Sequence, residues 1–281
     1  MHIATNPDQL AMAVVAAVAM LQRALTVSYG ELVGLLLPTP VHVLMAVILL
    51  GDGVVMLWRA RRPRDVYLVD YGCFLGEPQH RITFAMALEH AHHMTASLID
   101  SESADFMVRL YERSEIGEET SVPDSFRYMP PERGIAASRE EAELVIFSAV
   151  DKALARTALN PDDIDALVVA CSFTTLTPAF ADAVVNRYRL RADVRSVNLS
   201  GMGCSGALIC VGLARSLLQV APPGARVLIV ATEILSSMFY AGTKRETLVP
   251  NVLFRMGAAA MIMSNSAERP RFRLGPVVRA R

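Results

Sequence analysis

The stretch Ser196-Val197-Asn198-Leu199-Ser200-Gly201-Met202-Gly203-Cys204-Ser205-Gly206-Ala207 decides the fold. It passes from a strand-like run through a glycine-rich turn into a long apolar, helix-like run that ends near Val220. A cysteine at the N-terminus of a helix faces unpaired amide N–H groups and the positive end of the helix dipole, and both favour a thiolate. The flanking glycines allow a sharp turn and leave room for a substrate carbonyl. Cys204 is therefore the candidate nucleophile.

On both sides of this turn, short apolar runs alternate with helix-favouring ones. Val66 to Asp70, Ile164 to Cys171, Val194 to Leu199, Arg226 to Thr232 and Gly257 to Ser264 read as buried strands. Helices are expected from about Arg81 to Arg113, from Ser138 to about Ala155, from about Pro178 to Tyr188 and from Ser205 to Val220. Ser138-Arg139-Glu140-Glu141 supplies an acidic N-terminus for the second of these. Gly117, Pro123, Pro130 and Pro131 mark a loop. Alternating strands and helices predict a layered α/β fold around a mostly parallel sheet.

Composition narrows the function classes. A chain of 281 residues that is 53% hydrophobic and 20% charged is globular rather than disordered. Its formal net charge of -1 provides no cationic field for nucleic acid. Cys73, Cys171, Cys204 and Cys210 are too widely spread for a disulfide framework, which places the thiols in a reducing compartment.

The front of the chain is the most apolar part. Leu10 to Met20 is continuously apolar but short for a bilayer span of roughly 20 residues. Leu32 to Leu50 carries no charge, and apolar character resumes after Asp52 as far as Trp58, with Pro38 and Pro40 expected to kink a helix. Arg59, Arg61, Arg62 and Arg64 follow, as expected on the cytoplasmic side of a span. Residues 1–64 thus read as a membrane anchor of one or two apolar helices, a kinked span or a hairpin. Residues 65–281 read as the domain that faces the cytosol. A buried helix pair is the other reading of the anchor.

Several signals compete with the nucleophile. Gly201-Met202-Gly203-Cys204-Ser205-Gly206 formally matches a dinucleotide-binding turn, with Glu233 where a ribose-binding acid could stand. Such a turn normally follows the first strand of its domain and needs no cysteine. His90 and His93 share a helix face while His92 points elsewhere, and no acidic or cysteine partner has ligand spacing, so a solvated or membrane-proximal face is expected there. Cys204 and Cys210 do not share a helix face. Cys171 and Cys210 are read as core.

The wording of the chain resembles the plant membrane-bound 3-ketoacyl-CoA synthases, condensing enzymes of very-long-chain fatty acid elongation in the thiolase superfamily. The resemblance runs through Val66-Tyr67-Leu68-Val69-Asp70-Tyr71, Arg113-Ser114 with Gly117-Glu118-Glu119-Thr120, Ser196 to Ser205, Ala231-Thr232-Glu233, and Asn251 with Phe254-Arg255-Met256-Gly257. These landmarks keep the family's order over nearly everything after about residue 60. The resemblance implies the N-terminal half of a thiolase-like layered α/β fold behind N-terminal membrane helices. It also implies an endoplasmic reticulum membrane location and a tendency to dimerise.

The resemblance further implies that Cys204 accepts the acyl group of a long-chain acyl-CoA as a thioester, and that malonyl-CoA loses CO₂ to give the attacking carbanion. The backbone N–H of Cys204 is a candidate oxyanion donor. No bound cofactor or metal is implied; acyl-CoA and malonyl-CoA are the substrates. The family's catalytic histidine and asparagine have no matching positions here, since His2, His42, His80, His90, His92 and His93 all precede Cys204, and Asn251 belongs to another place in the pattern. Smaller departures are Ser205-Gly206-Ala207, Pro250 and Val252 beside Asn251, and Gly257-Ala258. Two functions follow. One is a 3-ketoacyl-CoA synthase-type acyltransferase whose remaining catalytic groups come from elsewhere. The other is a truncated, catalytically silent membrane protein that pairs with an intact synthase. A soluble relative of the plant-type polyketide synthases shares the cysteine chemistry but lacks an anchor.

Overall fold

The computed structural model describes residues 15–20, 22, 40–61, 63–95, 98–268 and 270–275. Two compact units divide the chain, Met1–Arg62 and Pro63–Arg281.

In the first unit, residues 15–20 are helical, and helix α1 spans Pro40–Arg61. The expected kink at Pro40 does not occur, because Pro40 is the first helical residue, where its missing N–H costs nothing. The helix also runs unbroken through Gly51-Asp52-Gly53. From Val43 to Leu57 its large apolar side chains are exposed, Leu49 at 67% and Leu50 at 70%. Residues 10–14 of the first apolar run, and Pro38, lie outside the described residues.

The second unit is built on a sheet in the order β3-β2-β4-β5-β1-β6. Its strands are β1 (Val66–Cys73), β2 (Ala166–Ala170), β3 (Arg195–Leu199), β4 (Arg226–Glu233), β5 (Gly257–Ser264) and β6 (Phe272–Leu274). β2 pairs in parallel with β3 and β4, with Ala170 opposite Leu199 and Ala231. The pairs β4–β5, β5–β1 and β1–β6 are antiparallel, which corrects the expectation of a mostly parallel sheet.

Both faces of the sheet are covered, which is why β2 and β4 read as continuous apolar runs rather than alternating ones. On one face, helix α4 (Ile135–Thr157) buries Val145, Ile146 and Ala149, and α5 (Phe180–Tyr188) buries Phe180 and Val184, in one cluster with Leu167, Val169, Leu228 and Ile262. On the other, α6 (Gly206–Val220) buries Cys210, Ala214 and Leu218 against Val168, Ile229 and Met263. Among the described residues, Gly203–Val220 is the one helical run long and apolar enough to cross a bilayer. Its packing on the sheet marks it as a core helix.

A third apolar cluster joins α2 (Phe84–Thr95), α3 (Ser101–Arg113) and α7 (Arg245–Leu253), with Met107, Tyr111, Phe126, Phe239 and Leu248 buried together. The single helix expected over Arg81 to Arg113 is therefore two. Asp100 starts the second by accepting the N–H of Ser103 at 2.7 Å, an N-cap that a periodicity count passes over. α7 was not foreseen, because Pro250 lies inside it and it has no strongly apolar face.

Candidate active site

The carboxyl ends of the parallel strands β2, β3 and β4 converge, and open α/β sheets use that edge for ligands. From β3, Ser200-Gly201-Met202 turns the chain into a short 3₁₀ turn, Gly203–Ser205, which leads directly into α6. Gly201 at φ 74° and Gly203 at φ 55° occupy the left-handed region, so the turn depends on residues without a Cβ. The Ser205 hydroxyl donates to the Met202 carbonyl at 2.7 Å, and the N–H of Gly206 donates to Gly203. Cys204 is exposed at the apex, in the place expected of it. Phe173 at 55% exposure, Met202 at 46% and Leu208 at 74% give this end of the domain an apolar surface.

The other cysteines differ. Cys171 and Cys210 are buried, as expected, and burial pushes their thiols up to about 12 and about 11. The nearby Glu233 carboxylate also raises Cys171. Cys73 is exposed at the end of β1.

Glu233, at the end of β4, holds the loop that follows β2. Its carboxylate accepts the N–H of Ser172 on both oxygens at 3.0 Å, the N–H of Phe173 at 2.9 Å and the thiol of Cys171 at 3.8 Å. Ser172 in turn reaches the Gly203 carbonyl from its hydroxyl at 3.5 Å. Both oxygens of Glu233 are thus engaged in holding this loop, a structural task that differs from that of the ribose-binding acid in the dinucleotide reading.

Glu141 does the same for the segment after Glu233. It is buried at 3% exposure and accepts the N–H groups of Leu235 and Ser236 at 2.9 and 2.8 Å and the Ser236 hydroxyl at 2.7 Å. Burial raises its pKa above the ordinary 4.5, against the lowering effect of these donors. The sequence pattern puts Glu141 among the acidic residues at the N-terminus of a helix that starts at Ser138. α4 begins earlier, at Ile135, so Glu141 falls on the inward face with Ala137, Ser138, Ala142 and Val145. That spacing was visible in the chain and was the available signal.

The landmarks of the resemblance meet in space. Arg255 donates from Nε to Thr120 Oγ1 at 3.0 Å, and Met256 donates its N–H to the Ser121 carbonyl at 2.8 Å, joining the segments 117–120 and 254–257. Thr232 donates its hydroxyl to the Gly257 carbonyl at 2.7 Å, and Glu233 lies opposite Gly257 in the sheet. Glu233 carries the connection on to Ser172 and the cysteine turn. Asn251 is structural here, with Oδ1 accepting the N–H of Tyr240 and Nδ2 donating to its carbonyl, at 3.0 and 2.8 Å.

The histidines lie elsewhere. His92 and His93 are exposed on α2, as expected, but His90 turns inward onto the wall of an apolar cavity, where burial lowers its pKa despite the opposing pull of Glu89. His80 is buried in the turn before α2. None of these four is on the loops around Cys204.

Comparison with known proteins agrees with this geometry. Residues 58–281 match the family described as FAE1/Type III polyketide synthase-like protein. 3-ketoacyl-CoA synthase 6 of Arabidopsis thaliana is 44% identical over 221 residues, covering 78% of this chain and 44% of that one. 3-ketoacyl-CoA synthase 5 of the same plant is 42% identical with the same coverage. The chain spans less than half the length of these relatives. Among solved structures, 1,3,6,8-tetrahydroxynaphthalene synthase of Streptomyces coelicolor, a bacterial type III polyketide synthase, superposes with a TM-score of 0.62 at 20% identity, over 72% of this chain and 57% of that one. A mutant of CsyB complexed with CoA-SH gives 0.61 at 24% identity, over 75% and 60%. These likenesses establish the thiolase-like fold. By its matched residues and its curated relatives, the chain belongs to the FAE1/type III polyketide synthase-like family.

Proposed function

We propose that this chain carries the acyl-accepting part of a 3-ketoacyl-CoA synthase-type acyltransferase in very-long-chain fatty acid elongation. The observation that supports it is the exposed Cys204 on a glycine turn whose neighbouring loop is pinned by Glu233. The thiolate of Cys204 attacks the carbonyl of a long-chain acyl-CoA. The tetrahedral intermediate collapses with CoA thiolate as leaving group, and the acyl chain stays on sulfur. Malonyl-CoA then loses CO₂, and its carbanion attacks the acyl carbonyl, releasing a 3-ketoacyl-CoA and restoring the thiolate. The N–H of Cys204 serves as one donor to the oxyanion.

Helix α1 supports membrane attachment. A helix that exposes apolar side chains from Val43 to Leu57 and ends near Arg59 and Arg61 requires an apolar surrounding, and a bilayer with its cytosolic side at the arginines provides one. The family resemblance adds the endoplasmic reticulum and a homodimer to this reading. A second reading rests on the placement of the histidines. With His80, His90, His92 and His93 all in or just before α2, the chain alone is catalytically silent and acts by pairing with an intact synthase.

Membranes containing the full chain, assayed for malonyl-CoA-dependent elongation of long-chain acyl-CoA, separate the two. Elongation lost in Cys204→Ser supports the enzyme. Absence of product, with Cys204 still alkylated by a thiol reagent, leaves the silent partner.

A further inference from the structure

Strand pairing brings two arginine-rich parts of the sequence together at one end of the sheet. Residues 59–73 and 264–281 hold nine of the 27 basic side chains, all arginine, and three of the 28 carboxylates, Asp65, Asp70 and Glu268. The rest of the chain is acidic in balance. β6 joins the second stretch to the first by pairing with β1, so that Leu274 lies opposite Val66, Arg273 opposite Tyr67 and Phe272 opposite Leu68. Ser264 lies opposite both Tyr67 and Arg226, which makes this the end where β4 begins, away from the cysteine turn.

Charge and apolar surface alternate along this edge. Arg271, Phe272 and Arg273 are all exposed, Phe272 at 64%. Arg64 is exposed as well and donates to the carbonyl of Ala221, whose neighbour Val220 is 80% exposed at the end of α6. Asp70 pairs with Arg271 at 3.0 Å and Asp65 with Arg273 at 3.6 Å, and these two carboxylates offset part of the charge. Glu268 and Asp163 are each 3.9 Å from Arg226, and Asp165 is 2.9 Å from Arg191. The arginines of the two stretches still outnumber their carboxylates three to one.

These features together select the partner. An open sheet edge invites a further strand, but arginines on both sides of Phe272 would set two copies of this edge against each other. An anionic lipid surface satisfies both kinds of group. Guanidinium groups meet headgroup phosphates, and an exposed aromatic ring enters the boundary with the acyl chains. Four residues, Arg62 to Asp65, link α1 to β1 in the chain, so a bilayer spanned by α1 is within reach of this edge. The leaflet on the cytosolic side is the one that carries negative surface charge.

We propose that the β1–β6 edge is a docking surface for anionic lipid, with Phe272 in the interface and Arg64, Arg271 and Arg273 on headgroup phosphates. The proposal rests on the reading of α1 as a membrane anchor for the nearness of the bilayer, and owes nothing to the chemistry of Cys204. Trp58 is the single tryptophan, so Trp58→Phe with Phe272→Trp gives a full chain with one reporter on the edge. The chain is reconstituted into phosphatidylcholine vesicles with brominated acyl chains, with and without phosphatidylserine. The tryptophan at 272 is quenched about twofold more on the anionic vesicles. Arg273→Glu in the same chain removes that difference, since each arginine near such a surface contributes about fivefold to binding, and added salt weakens it. A reporter beside the cysteine turn, Leu208→Trp with Trp58→Phe, does not respond to lipid charge. In the wild-type chain, trypsin cleaves after Arg271 and Arg273 more slowly on anionic than on neutral vesicles, a comparison that needs no variant to fold. Quenching at 272 that ignores lipid charge, an equal response at 208, or unchanged tryptic cleavage overturns the proposal. Flotation of the wild-type chain with neutral vesicles after alkaline carbonate extraction tests the anchor separately. A chain that fails to float loses the anchor reading, while the response of the 272 reporter to added anionic vesicles still decides the edge.

Discussion

Glu233 receives the backbone N–H of Ser172 on both of its carboxylate oxygens at 3.0 Å, across a sequence separation of 61 residues. The strand that ends in Glu233 thereby fixes the loop on which Ser172 reaches the carbonyl next to Cys204. A glutamine offers one acceptor oxygen in place of two and turns an amide toward an N–H donor. Glu233→Gln is expected to destabilise the domain by about 1–3 kcal/mol. Chemical denaturation of the wild type and variant checks this; an unchanged midpoint would show that the clamp is idle.

Glu141 gives a pH dependence with a defined sign. Its folded pKa lies above the ordinary 4.5, so between these two values the native state binds more protons than the unfolded one. The contribution of Glu141 to stability is therefore greatest at the acid end of that window and declines as pH rises through the folded pKa. Glu141→Gln removes this slope. Unfolding free energies measured from pH 4.5 upward should show the wild type losing stability relative to the variant as pH rises, and a relative gain refutes the assignment.

The cysteines should separate by exposure and acidity. Iodoacetamide at pH 8 should alkylate Cys204 and Cys73 in the native chain and spare Cys171 and Cys210, whose thiols are buried and raised to about 12 and about 11. Peptide mass spectrometry reads the result. Modification of Cys171 before unfolding would contradict the packing described for β2.

Two neighbouring glycines should respond differently. At Gly203, with φ 55° and open space around a new Cβ, Gly203→Ala meets only backbone strain and costs about 1–2 kcal/mol. Gly206 has helical φ of −52°, and a Cβ there would lie 3.4 Å from that of Ala170, so Gly206→Ala should fall within about 1 kcal/mol of the wild type in either direction. Thermal melts rank the pair, and a larger loss at Gly206 would mean that α6 sits closer to β2 than described.

The strands and the nucleophile turn were legible in the chain because their physics is local. Val66 to Val69, Ile164 to Cys171 and Gly257 to Met263 stand out as short apolar runs, and Gly201 and Gly203 announce a sharp turn by residue type alone. Strand direction was not legible. β5 lies antiparallel to β4, yet its side chains are as apolar as those of a parallel strand, since burial rather than direction sets composition. The connection that decides direction passes through α7, whose internal Pro250 hides it from a periodicity reading.

By itself, the sequence determined that a globular α/β domain follows an apolar N-terminal run and that a cysteine sits where a helix begins. It also carried the landmarks of the family. Tertiary structure alone decided what those landmarks do to one another: Arg255 meets Thr120, Thr232 meets Gly257, and Glu233 spans to Ser172. Partners so far apart in the chain leave no periodic trace, because nothing local selects them. Glu141 on α4 looks like an ordinary helix residue until packing removes its water, and only then does the buried carboxylate acquire its role.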